Sequence, residues 1–385
     1  MMKLNFGFGK EWKEIKKFEK LSLDEKSIVF YAENIASMNH FQNLITKLTE
    51  EEGMDICYVT SLENDPILNK NDEKIKTFYI GDGMTRTKFF LTLKAKILIM
   101  DMPDLQTFHI KRSKVHPVHY VYIFHSMFST HSYLRKNALD NYDTIFCVGS
   151  HHVNEIRMSE KEYNLKPKKL VEYGFGRLDS LLKKKQEFEN KKNDEELILI
   201  TPSYGKDNLL EKCGEELIEK LIENNYKVFL RPHFRIIRDS PDLINSIKNK
   251  FLKSPNFILH EGVIPFEKFQ NSICLISDWS GISFEYAFTH EKPVIFIDVP
   301  KKDFNPEARK FLDMPIEIEI REKLGNVVSP KDIKQIPKIL EKLIDEQKTY
   351  EEQIKDVRKK IVFNLGKSSD VGIKNIFEIL QIDKK

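Results

Sequence analysis

Ile276-Ser277-Asp278-Trp279-Ser280-Gly281-Ile282-Ser283-Phe284-Glu285-Tyr286-Ala287 carries an apolar run into a polar turn and straight on into an amphipathic helical pattern. A strand that passes at once into a helix is half of a β-α-β unit. Similar short runs rich in Ile, Val, Phe and Tyr recur at spacings that leave room for a helix between them. In the first half they are Ser27 to Tyr31, Ile56 to Thr60, Thr77 to Ile80, Ala95 to Met100, Tyr120 to Phe124 and Thr144 to Val148. In the second half they are Leu197 to Ile200, Lys227 to Leu230, Phe257 to Leu259, Ile273 to Ile276 and Val294 to Ile297. The pattern predicts an α/β protein of two Rossmann-like, doubly wound domains facing across a cleft. Open sheets of this kind bind ligands beyond the carboxyl ends of their strands, so the motifs that matter should sit directly after strands.

The stretch Leu181 to Glu196 (LLKKKQEFENKKNDEE) is the most charged and least apolar, which suits an exposed link. The expected domains are therefore 1–190 and 191–360, with a C-terminal helix over 361–385. From Pro330 to Lys385, apolar and charged residues alternate at helical spacing around Gly366, so two closing helices are expected there. No internal repeat is visible.

With 385 residues the chain fits about two domains of ~100–200 residues each. Its 62 Lys+Arg against 59 Asp+Glu give a net charge of +3, without basic runs interleaved with aromatics, which argues against a nucleic-acid partner. At 41% apolar and 31% charged residues the chain is not disordered. No apolar stretch approaches the ~18–20 residues that span a bilayer. The first residues (MMKLNFGFGKEWKEIKK) lack the apolar core of a secretory signal, so a cytoplasmic protein is expected. Cys57, Cys147, Cys213 and Cys274 lie too far apart for a zinc-type pair or a dense disulfide framework, and they read as buried thiols.

Five loops follow strands and carry polar chemistry. In the first, Asp278 to Gly281 expose hydroxyls and backbone N–H groups at a helix start, an anion site by its free donors and partial positive charge. Gly281 would let a diphosphate approach closely, and Glu285, one turn further in, would reach ribose hydroxyls. A Ser or Asp helix cap needing no ligand is the simpler reading. In the second, Arg231-Pro232-His233-Phe234-Arg235 gathers guanidinium groups and an imidazole, a costly cluster unless an anion compensates it. The third, Phe124-His125-Ser126-Met127, puts a candidate general base at a strand end, with His131, His151 and His152 as competitors. The fourth, Thr201-Pro202-Ser203-Tyr204, offers Ser203 as a further donor-binding group. The fifth, Gly174-Phe175-Gly176-Arg177-Leu178-Asp179, reads as the turn towards the link. There is no P-loop, no Gly-x-Gly-x-x-Gly and no Asp-x-Asp, so neither an NTPase nor a nicotinamide enzyme is expected; no cofactor is expected, and a divalent metal stays open without being indicated.

Arg231-Pro232-His233, Ser277-Asp278-Trp279-Ser280-Gly281 with Phe284-Glu285-Tyr286-Ala287, and Lys292-Pro293-Val294-Ile295-Phe296 together resemble the CDP-glycerol glycerophosphotransferase family of teichoic acid and capsule synthesis. The resemblance is clearest over 197–300. It implies a GT-B arrangement, with the N-terminal domain on the acceptor side and the C-terminal domain holding a CDP-activated polyol. It implies transfer of a polyol phosphate to a hydroxyl of a glycan or lipid-linked acceptor, releasing CMP at the inner membrane surface. Arg231 and His233 match the family's Arg-x-His element. Asp278 and Ser280 match its Ser-Asp-x-Ser element, and His125 matches the histidine of its Trp-His-Gly-Thr element. The resemblance and the loop readings together make His125 and His233 the expected catalytic residues, with Arg231, Asp278 and Ser280 donor-binding by the resemblance and Ser203, Arg235, Gly281 and Glu285 donor-binding by their place in the loops. Phe124, Ser126 and Met127 depart from the family's Trp, Gly and Thr, and Gly281 replaces a second Ser.

The nearest rival is a GT-B glycosyltransferase using a nucleotide sugar in capsule or lipopolysaccharide synthesis. A nucleotide-sugar epimerase or a non-enzymatic scaffold would share the architecture. For Lys3 to Leu21, Leu4, Phe8, Trp12, Ile15 and Phe18 near one helical face allow two readings. One is a helix lying in an anionic membrane interface, the other a terminal helix packed on its own domain.

Overall fold

The computed structural model describes residues 9–188, 197–301 and 304–381. The chain forms two compact units. The first takes in Met1–Ser180, Phe304–Asp313 and Ile361–Lys385, the second Leu181–Asp303 and Met314–Lys360.

The first unit is built on a parallel sheet of seven strands: β1 (Ile28–Ala32), β2 (Ile56–Thr60), β3 (Ile75–Tyr79), β4 (Ile97–Met100), β5 (His119–Ile123), β6 (Thr144–Cys147) and β7 (Lys169–Glu172). Their order is β3-β2-β1-β4-β5-β6-β7. The second unit has six parallel strands: β8 (Leu197–Thr201), β9 (Lys227–Leu230), β10 (Phe257–Leu259), β11 (Ser272–Ser277), β12 (Val294–Ile297) and β13 (Gly325–Val328). Their order is β10-β9-β8-β11-β12-β13. Both sheets are doubly wound. The runs with no polar alternation, such as Ile28–Ala32 and Leu197–Thr201, are buried along their whole length, as helix-covered parallel strands must be.

The two strands absent from the sequence reading, β7 (KLVE) and β13 (GNVV), each lie at one edge of a sheet, the other edges being β3 and β10. Each pairs on one side only and buries little, so neither needs the continuous apolar run that reveals a central strand.

The expected link starts instead as a helix, since 181–188 complete Gly176–Phe188, and 189–196 lie outside the described residues. Among the described residues the tail forms three α-helices rather than two: Ile336–Asp345, Gln347–Ile361 and Ser368–Leu380. Gly366, at φ +76°, makes the second break, as its freedom at positive φ allows. The first break, at Glu346, carries no Gly or Pro signal. Ser368–Leu380 packs on the first unit so closely that a Cβ at Gly372 would meet Leu44 at 2.8 Å and Tyr173 at 2.9 Å. Asp179 holds its start, accepting from Gly366 N at 2.7 Å and Ser368 N at 3.1 Å.

The N-terminal helix is Lys10–Lys20. Ile15 and Phe18 are 1% and 2% exposed, and the Phe18 ring meets Phe78 and Phe89 edge-on at 5.3 Å each. Burying two such side chains stabilises the unit by about 1.5–3 kcal/mol each. That part of the apolar face is therefore spent on its own domain and is not offered to a lipid surface, whereas Leu4 and Phe8 lie outside the described residues. No described helix is long and apolar enough to cross a membrane. The four cysteines are buried and free.

Candidate functional site

In the second sheet β8 lies between β9 and β11, and the chain leaves β8 on one side to return on the other. This is a topological switch point, where an open α/β sheet forms its ligand crevice. The loops after β8, β9 and β11 share one sheet edge, and at ~4.8 Å per strand those after β9 and β11 stand about 10 Å apart. Ser203, Arg231, His233, Arg235, Asp278, Ser280 and Gly281 are all on these three loops or directly behind them.

Asp278 was expected to meet a phosphate, and the structure turns it inward. It is 1% exposed, and its carboxylate accepts from Ser203 N at 2.6 Å and Leu209 N at 3.0 Å. Beside it, Ser277 Oγ donates to Thr201 O at 2.6 Å. The strand-end charge thus wraps the β8 loop around itself, and a second anion on the same oxygens would be repelled. Ser203, 7% exposed, takes its place through this backbone contact.

Trp279 Nε1 donates to Val299 O at 2.8 Å, tying the same turn to the loop after β12. Ser280 and Gly281 remain partly exposed at the start of Ile282–His290. Gly281 has an ordinary helical backbone (φ −58°, ψ −23°), so what distinguishes it there is the missing side chain, not positive φ. No side chain caps this helix start. Ser280 O accepts from Ser283 N at 3.1 Å and Gly281 O from Phe284 N at 3.2 Å, so the turn itself takes up these two of the first N–H groups of the helix. Glu285 is half-buried in the first helical turn.

After β9, Arg231 continues the ladder by donating its N–H to Ile200 O at 2.9 Å, and its Nε donates to Gly262 O at 3.3 Å. Burial lowers the guanidinium below its ordinary value. His233 caps the helix Phe234–Asp239: its Nδ1 accepts from Arg235 N at 3.1 Å. With Nδ1 an acceptor, the neutral ring carries its proton on Nε2. The ring lies 4.7 Å from Tyr204 and 4.6 Å from Phe234, and the Arg235 guanidinium lies 4.5 Å over Tyr204. Tyr204 is thus the shelf under both side chains. Its motif was legible, but its role depends on β8 and β9 being neighbours.

The first unit has its own switch point, between β1 and β4. His125 follows β5. Its Nδ1 lies 3.1 Å from Asp101 O and 3.4 Å from Tyr122 Oη. A carbonyl only accepts, so Nδ1–H donates to Asp101, leaving Nε2 as the basic nitrogen. Burial lowers the His125 pKa, so the ring stays neutral near pH 7. Asp101 accepts from Ser37 Oγ at 2.9 Å, and burial pushes its carboxyl up to about 7.

The competing histidines are used by the fold. His152 accepts from Val148 N at 3.3 Å and donates to Phe128 O at 2.8 Å, engaging both nitrogens. His151 Nε2 meets Met127 O at 3.0 Å, and His131 is buried 3.9 Å from Glu155. Among the described residues, no group of three or more His, Cys, Asp or Glu side chains is arranged to hold a metal.

A family described as CDP-glycerol:poly(glycerophosphate) glycerophosphotransferase matches residues 15–378. No curated protein matches the chain by sequence. Among solved structures, a variant of the wall teichoic acid polymerase TagF soaked with CDPG is similar at 16% identity and TM-score 0.58, over 96% of this chain and 91% of that one. S. aureus MnaA with UDP is similar at 16% identity and TM-score 0.62, over 94% and 98%. The UDP-GlcNAc 2-epimerase of Methanocaldococcus jannaschii, with UDP-GlcNAc and UDP, is similar at 14% identity and TM-score 0.59, over 91% and 99%. At such identities the likeness is one of fold, GT-B-like with two parallel sheets. Epimerases share that fold, so architecture alone does not select the reaction.

Proposed function

Because the chain belongs to the CDP-glycerol:poly(glycerophosphate) glycerophosphotransferase family and is a transferase of that type, we propose that it moves glycerol phosphate from CDP-glycerol to a hydroxyl of a glycan or lipid-linked acceptor in teichoic acid synthesis. The observation that carries the donor half is the strand edge of the second unit. There Arg231 and His233 follow β9, the uncapped helix start at Ser280-Gly281 follows β11, and β8 alone separates the two strands. Guanidinium groups together with the positive end of a helix suit the charge of two phosphoryl groups.

In the reaction, the diphosphate lies over Ser280 and Gly281, with Arg231, Arg235 and the His233 Nε2–H on its oxygens and Glu285 towards the ribose. Asp278 and Ser203 act by holding the loop that frames the site. His125 Nε2 removes the acceptor proton as the hydroxyl oxygen attacks the distal phosphorus. The bond from that phosphorus to the bridging oxygen breaks, and CMP leaves with the bond's electron pair. Positioning and matched donors supply most of the acceleration, as in phosphoryl transfer generally. The reading puts the reaction in the cytoplasm, with any contact with the inner membrane surface coming through a lipid-linked acceptor.

Incubation with CDP-glycerol and, separately, with UDP-, GDP- and CMP-sugars tests the reading. CMP released only from CDP-glycerol, with glycerol phosphate on the acceptor, supports it. Release of UDP or GDP from a sugar donor would move the chain to the glycosyltransferase reading, and isomerisation without an acceptor to the epimerase one.

A further inference from the structure

One cation beside the donor turn has no place in the contacts above. Arg321 opens the short helix Arg321–Leu324 and is 4% exposed. Its guanidinium lies 4.1 Å over the Trp279 ring and 5.1 Å from the Phe296 ring. Nη1 donates to Asp298 at 2.9 Å. Nε and Nη2 are buried with no hydrogen-bond partner.

Those two nitrogens form the side-on edge of the guanidinium, whose parallel N–H bonds match two oxygens of one phosphate or carboxylate. Buried N–H groups almost always have partners. Here the stacking rings and Asp298 fix the plane of the fork, so its open edge cannot turn away to find one. The neighbouring cation, Lys301, 5.7 Å from the same Trp279 ring, is already paired with Glu317 at 2.9 Å.

The position points to the ligand. Trp279 belongs to the turn that feeds the nine-residue helix Ile282–His290, whose uncapped start is the proposed diphosphate seat. Arg231 and His233 approach that seat from the β9 side. Arg321, held against Trp279, Phe296 and Asp298, approaches it from the β12 side. We propose that Arg321 is a donor-binding residue whose Nε and Nη2 edge takes two oxygens of one phosphoryl group of the nucleotide diphosphate. The proposal rests on the second unit being the donor domain. Both nitrogens are shielded from water in the free chain, so binding must open the loops around them.

The test is calorimetric titration of wild type, Arg321→Lys and Arg321→Met with CDP, CMP and orthophosphate. Arg321→Lys keeps the charge and most of the stem but has no side-on edge. Both variants should bind CDP about 10- to 100-fold more weakly than wild type. Wild-type CDP affinity in both would overturn the inference and leave the donor reading standing. Failure of wild type itself to bind any cytidine nucleotide would sink the donor reading, and this inference with it. Arg321-dependent binding of orthophosphate alongside Arg321-independent binding of CDP would also overturn it, by marking a phosphate site apart from the donor. If the variants fail to fold, a crystal structure of wild type with CDP decides. Phosphate oxygens about 3 Å from Nε and Nη2 support the assignment, and oxygens beyond hydrogen-bond reach end it.

Discussion

The carboxylate of Asp278, at the end of β11, accepts a hydrogen bond from the backbone N–H of Ser203, beyond the end of β8, at 2.6 Å. One buried charge thereby sets the shape of the loop next door. Leu209 N, at 3.0 Å, adds a second anchor further along that loop. A buried carboxylate without such donors would be costly, so loop and charge stabilise each other.

Replacing Asp278 with Ala should therefore lower the stability of the second unit by about 2–4 kcal/mol, since two backbone donors lose a charged acceptor. Asp278→Asn should recover part of the loss, because one amide oxygen can still accept. Urea denaturation measures both. An alanine variant within about 0.5 kcal/mol of wild type would show that the carboxylate does not organise the loop.

His233 has two separable roles, and Asn divides them. Asn is a favoured helix cap and keeps an acceptor for Arg235 N, whereas Ala removes the cap at a cost of about 1 kcal/mol. His233→Asn should fold normally and still lose about 10²-fold or more in turnover with CDP-glycerol. Turnover close to wild type would take the imidazole away from the phosphates.

His125→Ala should cut turnover by ~10² or more while leaving thermal unfolding almost unchanged. Burial lowers the pKa of this ring, so the neutral base persists below the ordinary value of about 6.5. The acid limb of kcat/KM should accordingly fall below pH 6.5. An acid limb above that value, or one that survives in His125→Ala, would assign the base elsewhere.

Asp101 supplies a pH signature of opposite sign to that of the buried histidines. Burial raises its carboxyl from the ordinary value of 3.8 to about 7, so between these values the folded chain keeps a proton that the unfolded chain has lost. The stabilisation is complete below pH 3.8 and is lost as pH rises through about 7. Asp101→Asn, neutral throughout, should match wild type near pH 4 and exceed it at pH 8 by roughly 2–4 kcal/mol. Parallel stability curves for the two proteins would contradict this.

Several features could be read locally because their causes are local. A buried parallel strand must be apolar along its length, so the central strands stood out, and a polar turn between strand and helix marked the Ser280-Gly281 site. His125 and His233 were visible because each directly follows such a run. The edge strands β7 and β13 were not, since a strand paired on one side tolerates polar residues.

The amino-acid sequence by itself thus determined the α/β class, the two doubly wound sheets and the loops that carry the chemistry, all of which follow from hydrophobic period and turn residues over short spans. Only the tertiary structure decided which side chain in those loops faces inward. It spent Asp278 on backbone donors of a loop 75 positions away, laid Tyr204 under His233 and Arg235, and pressed Arg321 against Trp279. Each of these depends on strand order, and strand order arises from pairing between distant segments, which no local pattern of residues records.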